Sequence, residues 1–414
     1  MPDLAIFANA ASAPLWTLEG LRGADPVLGL ALMMVLAVVL AEALHRAANL
    51  PRACGYMLVG AIASPLVLSL LQRRELDTLK PLIDLAIAVL VFELGTRIRP
   101  RWLVDNPWLA LSSVLEGVLA GLTVTLFLMV LGVSGLSAAM AGTVAMSTSP
   151  IIVMAVLHES RPRGQVTERL LLMTAVNSVF AVLALKLWHV AGSGPERDFV
   201  VSGTGALYLV SGSLLLGAVC GLLLELLSRR VRGTNAMPVL QIALVIIAGM
   251  LAVQWTLSPL LALLVAGMVA RARMRHGLTV EPQLGSAGAA LSVLLFICLG
   301  ILLTLDGILS LWPWVLAIIV ARMIGKGAAV ALLARPSGLG WRQAGALTLA
   351  LQPMSSLAVL LAADTFAWSS QLPGVDRNAL NALLAATTVM QLTGPLWTAT
   401  ALRRVAGECN GAAP

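Results

Sequence analysis

The chain has 414 residues, of which 59% are hydrophobic and 11% are Asp, Glu, Lys or Arg. A water-soluble domain carries roughly 25% charged residues, so this composition excludes one and fits a bundle of membrane helices at about 20 residues each. The net charge of +7 does not point to nucleic acid, because the basic residues are scattered between apolar runs rather than gathered into a patch.

Apolar segments bounded by charges, prolines and glycines predict thirteen spans. Residues 1–26 read as an external tail, since no Lys or Arg precedes the apolar AIFANAASA stretch as it would in a secretory leader. The first three spans are expected at 27–44, 54–71 and 80–96. Near the end of the third, Glu93 precedes Arg97 by one helical turn, the spacing of a surface ion pair. Span 4 (107–131) carries Glu116, span 5 (135–157) carries Thr148, Ser149 and Pro150, and span 6 (169–191) carries Asn177 and Ser178. Span 7 (204–227) reads as a linker helix. Spans 8 to 11 follow at 237–254, 258–274, 288–305 and 312–334, the last bearing Arg322 and Lys326. Span 12 (343–363) contains Gln352, Pro353, Ser355 and Ser356; span 13 (379–402) precedes a tail at 403–414.

With these spans, eighteen of the 27 basic residues fall in loops after odd-numbered spans or in the C-terminal tail, and six on the opposite side. The positive-inside rule then puts the C-terminus in the cytoplasm and the N-terminus outside, in a bacterial inner membrane. The chain also echoes itself. IAVLVFELGT (87–96) is similar to LSVLLFICLGI (291–301), and GYMLVGAIA from Gly55 to ALLVAGMVA from Ala262. Both pairs lie seven spans apart, and an odd offset reverses orientation in the membrane. Inverted-topology repeats over about 27–191 and 237–402 are the reading that this offset favours over chance similarity between apolar runs.

MSTSPI in span 5 and QPMSS in span 12 share the same offset. A proline removes a backbone donor, so a helix in lipid tolerates it only where neighbours satisfy the freed carbonyls. Each proline alone could mark an ordinary kink; two at matching repeat positions, both among hydroxyls and amides, favour a pair of interrupted helices around a midplane site. At about 1.5 Å per residue, Glu116, Pro150, Asn177, Lys326 and Pro353 all lie roughly 12 to 17 Å deep.

A charge at that depth costs roughly 2.5 to 3.5 kcal/mol, so Glu116 and Lys326 need partners and are candidates for each other; a structural pair and a transport role are equally open. Arg322 is one turn from Lys326, and the two cations repel unless an acid or anion intervenes. The cysteines at 54, 220, 298 and 409 and the four histidines have no metal-ligand spacing. No cofactor site is predicted, and nothing suggests an enzyme.

LPRACGYMLVGAIASP, LVFELGTRIRP, STSPIIVMAVLHE, LSPLLALLVAGMV, LLFICLGILLTLD, MIGKGAAVALLA and LTGPL occur here in this order. In these stretches the chain resembles the membrane domain of the monovalent cation:proton antiporter-2 family, which includes sodium/proton and potassium/proton exchangers. The resemblance implies an all-α, thirteen-helix inverted-repeat fold with crossed broken helices, a homodimer, and a monovalent cation and proton as substrates. It also implies two span-6 positions that carry ion chemistry. They are Asn177 and Ser178 here, where family members usually have carboxylates or a polar residue and Asp. Lys326 matches the lysine that pairs with the first carboxylate in electrogenic members. Met354, Ser355 and Ser356 stand where many potassium-exchanging relatives have Gly-Glu-Phe.

A serine hydroxyl cannot alternate between holding a proton and holding a cation near neutral pH. The expected arrangement is therefore a Na+ or K+:proton antiporter in which Glu116 and Lys326 are the coupled charges and Asn177, Ser178, Thr148 and Ser149 supply neutral oxygens. Two alternatives stand beside it. One is a transporter of anions or other solutes that uses Arg322 and Lys326 beside half-helix N-termini. The other is a relative that keeps the fold without transporting.

Overall fold

The computed structural model describes residues 26–64, 68, 73–98, 105–191, 199–230, 236–273, 285–301, 310–354 and 376–408. The N-terminal tail up to residue 25, Ser355, Ser356 and Cys409 lie outside them. The described chain is helical: α1 (Pro26–Ala48), α2 (Arg52–Ala63), α3 (Arg73–Arg97), α4 (Pro107–Val130), α5 (Gly135–Ala145), α6 (Pro150–Ser160), α7 (Gln165–Ala191), α8 (Phe199–Arg230), α9 (Ala236–Gln254), α10 (Pro259–Arg273), α11 (Gly285–Ile301), α12 (Trp312–Leu332), α13 (Trp341–Ala350) and α14 (Arg377–Thr400), with a π turn at Ala401–Val405. Because α5 and α6 are the halves of one interrupted span and α13 is the described half of another, these fourteen helices are the thirteen expected spans. Seven of the described stretches are individually long and apolar enough to cross a bilayer.

Local chemistry sets many of the boundaries. Prolines, which have no N–H to leave unpaired, occupy the first turns of α4, α6 and α12. The side chain of Asp376 accepts from the Asn378 amide at the start of α14 (2.9 Å). Inside the bundle, Ser and Thr hydroxyls donate one turn back, as Ser113 does to the Leu109 carbonyl and Thr125 to that of Gly121 (both 2.8 Å). Hydroxyls bonded in this way need no water. On α1, α8 and α9, large apolar side chains such as Val35, Val39, Leu207, Leu215, Val239 and Met250 are left exposed, as a lipid-facing surface requires.

The helices divide into two compact units. The first takes residues up to 84 together with 289–304; its core joins α1, α2 and α11 through Leu30, Met33, Ala37, Val59 and Ile297. In it, α2 and α11 touch backbone to backbone. A Cβ on Gly60 would stand 2.9 Å from the Gly300 Cα and would collide with the Ile297 carbonyl oxygen, and one on Gly300 would collide with that of Met57.

The second unit takes residues 85–288 and 305–414 and holds the two helix breaks. In it, α3 and α10 make the same kind of contact. A Cβ on Gly95 would stand 3.1 Å from the Gly267 Cα and would collide with the Leu264 oxygen, and one on Gly267 would collide with that of Phe92. In all four cases the oxygen belongs to the residue three before the opposing glycine. Span 2 therefore meets span 10 as span 9 meets span 3, which is what a seven-span inverted repeat demands. The contacts also fix the repeat register: Gly60 corresponds to Gly267, and Gly300 to Gly95.

Glu93 differs from its expected role. It is buried rather than on the surface, and it accepts from Arg97 (3.0 Å) and also meets His158 Nε2 on α6 (2.5 Å). The sequence spacing identified the near partner, and the fold supplied the second from a distant segment.

Candidate functional site

The site begins with the approach of α4 to α12. Gly325 makes it possible: a Cβ there would stand 2.6 Å from the Leu119 carbonyl oxygen and 2.7 Å from the Ala120 Cα. Thr123 then bridges the two helices, donating to the Ala321 carbonyl (2.9 Å). With the backbones this close, Glu116 on α4 and Lys326 on α12 form an ion pair in which neither residue has any exposure. The expected mutual partnership is therefore present. A buried pair is tolerable only when its remaining hydrogen-bonding capacity is also used.

The unwound residues 146–149 between α5 and α6 supply most of that capacity. The Lys326 ammonium donates to Glu116, to the Met146 carbonyl (3.2 Å) and to Thr148 Oγ1 (3.1 Å), one acceptor for each of its three N–H groups. Asn177, from the middle of α7, donates to Glu116 Oε2 and to Thr148 Oγ1, both at 3.0 Å, and accepts from the Thr148 amide (3.1 Å). Ser178 donates to the Thr148 carbonyl (2.8 Å). Thr148 is thus the hub: its hydroxyl accepts from Asn177 and Lys326 and donates to the Leu351 carbonyl (3.0 Å).

Leu351 belongs to the second break, residues 351–354 after α13, and the two unwound segments are joined directly. The Ser149 amide donates to the Pro353 carbonyl (2.9 Å). Ser149 also caps α6 through the Ile152 amide (3.4 Å), with Pro150 as its first residue. Gln352 donates back to the Thr348 carbonyl (2.8 Å). Its side-chain oxygen, and the hydroxyl of Thr174 on α7, are buried without a partner among the described residues.

Arg322 has partners that the sequence did not indicate. Glu116, the acid paired with Lys326, also attracts Arg322, and the guanidinium donates to the carbonyl of Ala145 and to those of Leu351 (3.1 Å), Gln352 (3.1 Å) and Pro353 (3.3 Å). Ala145 ends α5 and Leu351 follows the end of α13, so the cation neutralises the negative ends of two half-helices. Nε, Nη1 and Nη2 of Arg322 all face carbonyls.

The structure therefore brings Glu116, Lys326, Asn177, Ser178 and Thr148 into one network and attaches Arg322, Ser149, Pro150, Gln352 and Pro353 through the crossing. What residue types alone did not indicate is the part played by backbone oxygens. The carbonyls of Ala145, Met146 and Leu351 become acceptors only because the helices stop there. Among the described residues no three His, Cys, Asp or Glu side chains are grouped to hold a metal ion. The oxygen cluster is instead one carboxylate with neutral hydroxyl, amide and carbonyl groups, a donor set suited to a hard monovalent cation.

A family model described as "Sodium/hydrogen exchanger, transmembrane" matches residues 32–404. Two solved structures, both of the sodium/proton antiporter MjNhaP1 from Methanocaldococcus jannaschii, share the fold. One, determined at pH 8, has 16% sequence identity and a TM-score of 0.69 and covers 92% of this chain and 99% of its own. The other, an electron-microscopy map, has 14% identity and a TM-score of 0.72 and covers 94% and 98%. No curated protein sequence matches the chain.

Proposed function

Because the chain belongs to the sodium/hydrogen exchanger family, we propose that it exchanges a small monovalent cation, sodium or potassium, for protons by alternating access, with the Glu116–Lys326 pair as the coupling site. One observation carries this reading. The Lys326 ammonium sits among a carboxylate, a hydroxyl and a backbone carbonyl, and these oxygens would equally ligate a metal ion of the same charge.

Coupling follows from charge. A buried site does not tolerate a second uncompensated cation. An entering ion that takes the oxygens of Glu116, Thr148 and Met146 therefore displaces Lys326, which gives its proton to water. Reprotonation of Lys326 on the other side expels the ion. Asn177 and Ser178 occupy the span-6 positions without a carboxylate of their own; in this reading they orient Thr148 and Glu116, and Glu116 carries the negative charge. Arg322 holds the crossing together throughout, because its partners are carbonyls rather than the transported species. The distribution of basic residues supports placing the arginine-rich ends in the cytoplasm of a bacterial cell, and the family likeness supports a homodimer.

The test is proton flux in proteoliposomes on addition of sodium, potassium or lithium. Cation-dependent flux is expected; its absence between about pH 6 and pH 9 would reject the reading.

A further inference from the structure

Beyond the last helix the chain folds back onto the helices that carry the site. The π turn at Ala401–Val405 and the turn at Gly407, where φ is +70°, bring Glu408 to the start of α7. There its carboxylate accepts from the Val166 amide (2.7 Å), the Thr167 amide (2.9 Å) and the Thr167 hydroxyl (2.6 Å). Its backbone carbonyl accepts from the Arg163 amide (3.1 Å). Three of these donors are orphan amides at or just before the helix start, where the dipole also favours an anion. Gly164 leaves the space the carboxylate needs: a Cβ there would overlap it.

The same segment reaches two other site-bearing elements. Arg403 donates to Ser160 Oγ at the end of α6 (3.1 Å), and Arg342 at the start of α13 donates to the Arg404 carbonyl (3.1 Å). One short stretch thus touches both interrupted helices and the helix that bears Asn177 and Ser178.

We propose that residues 401–408 are a positioning clasp for the ion site, with Glu408 holding the start of α7 so that Asn177 and Ser178, about three turns along, stay in register with Thr148. Its transport consequence rests on the exchanger reading; its structural part does not. Two variants open the clasp by different means. Glu408→Ala removes the carboxylate, and Gly164→Ala pushes it out with a methyl group at a position whose φ is not positive.

Each is expected to raise the sodium concentration for half-maximal flux by about fivefold or more. The two together should do no more than either alone, and Glu408→Asp should recover part of the loss. Unchanged half-saturation, or effects that multiply in the double variant, would overturn the proposal. Hydrogen exchange on wild type and both variants provides a readout that does not depend on transport. Faster exchange is expected from Val166 through Asn177; quickening confined to residues 165–167 would reduce Glu408 to a local cap and also overturn the proposal. A wild-type protein with no cation-driven flux would defeat the exchanger reading while leaving hydrogen exchange to decide the clasp.

Discussion

Lys326 and Glu116 meet from repeat-equivalent helices, α12 and α4, and both are fully enclosed. Each has its remaining polar capacity taken up by the first helix break or by Asn177. The pair is therefore part of the crossing itself, and disturbing it should affect folding and transport in separable ways.

Removing one charge leaves the other buried and unpaired, which costs about 3–5 kcal/mol. Glu116→Gln and Lys326→Ala are each expected to lower thermal stability and to abolish cation-dependent flux. The Glu116→Gln, Lys326→Met double variant should regain much of the stability, as replaced buried pairs commonly do, and none of the flux. Thermal melts and liposome flux on the same preparations check this; flux restored in the double variant would mean that the pair only neutralises itself.

Thr148 joins three elements through one hydroxyl. Thr148→Val keeps the shape but leaves Asn177, Lys326 and the Leu351 carbonyl short of a partner, with an expected destabilisation of about 1–3 kcal/mol. The apparent affinity for the transported cation should fall about tenfold. Thr148→Ser should behave close to wild type. Sodium titrations of flux distinguish the three proteins.

Asn177→Asp would place a second carboxylate beside Glu116, where two like charges so close cannot both ionise without added compensation. The expected result is that a further proton becomes coupled to exchange, so that flux responds to an imposed membrane potential differently from wild type. Identical potential dependence in the two proteins would count against Asn177 being part of the ion site.

Gly325 sets the spacing between α4 and α12. Gly325→Ala drives a methyl group against the Leu119 and Ala120 backbone, which cannot swing aside as a side chain can. A loss of about 1–3 kcal/mol in stability is expected, together with most of the flux. Gly249→Ala on α9, where nothing lies within 4 Å of the added Cβ, is the neutral control.

Much of this was legible in the sequence because membrane burial makes polarity conspicuous. Thirteen apolar runs, two matching proline breaks and two charges at one depth identified the spans, the crossing and the Glu116–Lys326 pair. Less legible was whatever depends on where the backbone ends. The hydrogen-bond acceptors for Arg322 are carbonyls, which every residue has, so residue types could suggest the nearby acid but not these partners. His158 lies 65 residues from Glu93, beyond the reach of helical spacing, and for that reason a buried cluster read as a surface pair. Glu408 follows the last apolar span, in a stretch with no periodicity from which docking could be inferred. The equal lengths of GYMLVGAIA and ALLVAGMVA already matched Gly60 with Gly267, whereas the match of Gly95 with Gly300 came from glycine contacts, because IAVLVFELGT and LSVLLFICLGI differ by one residue in length.

The central claim is that a metal ion and the Lys326 proton compete for the same oxygens, and proton release on ion binding tests it most directly. Sodium added to purified protein in weak buffer should release about one proton per ion bound, as charge conservation in a buried site requires. Neither binding nor release should survive in Glu116→Gln, and in Lys326→Ala any remaining binding should release no proton. Sodium binding without proton release in the wild type, or undiminished release in Lys326→Ala, would contradict the account.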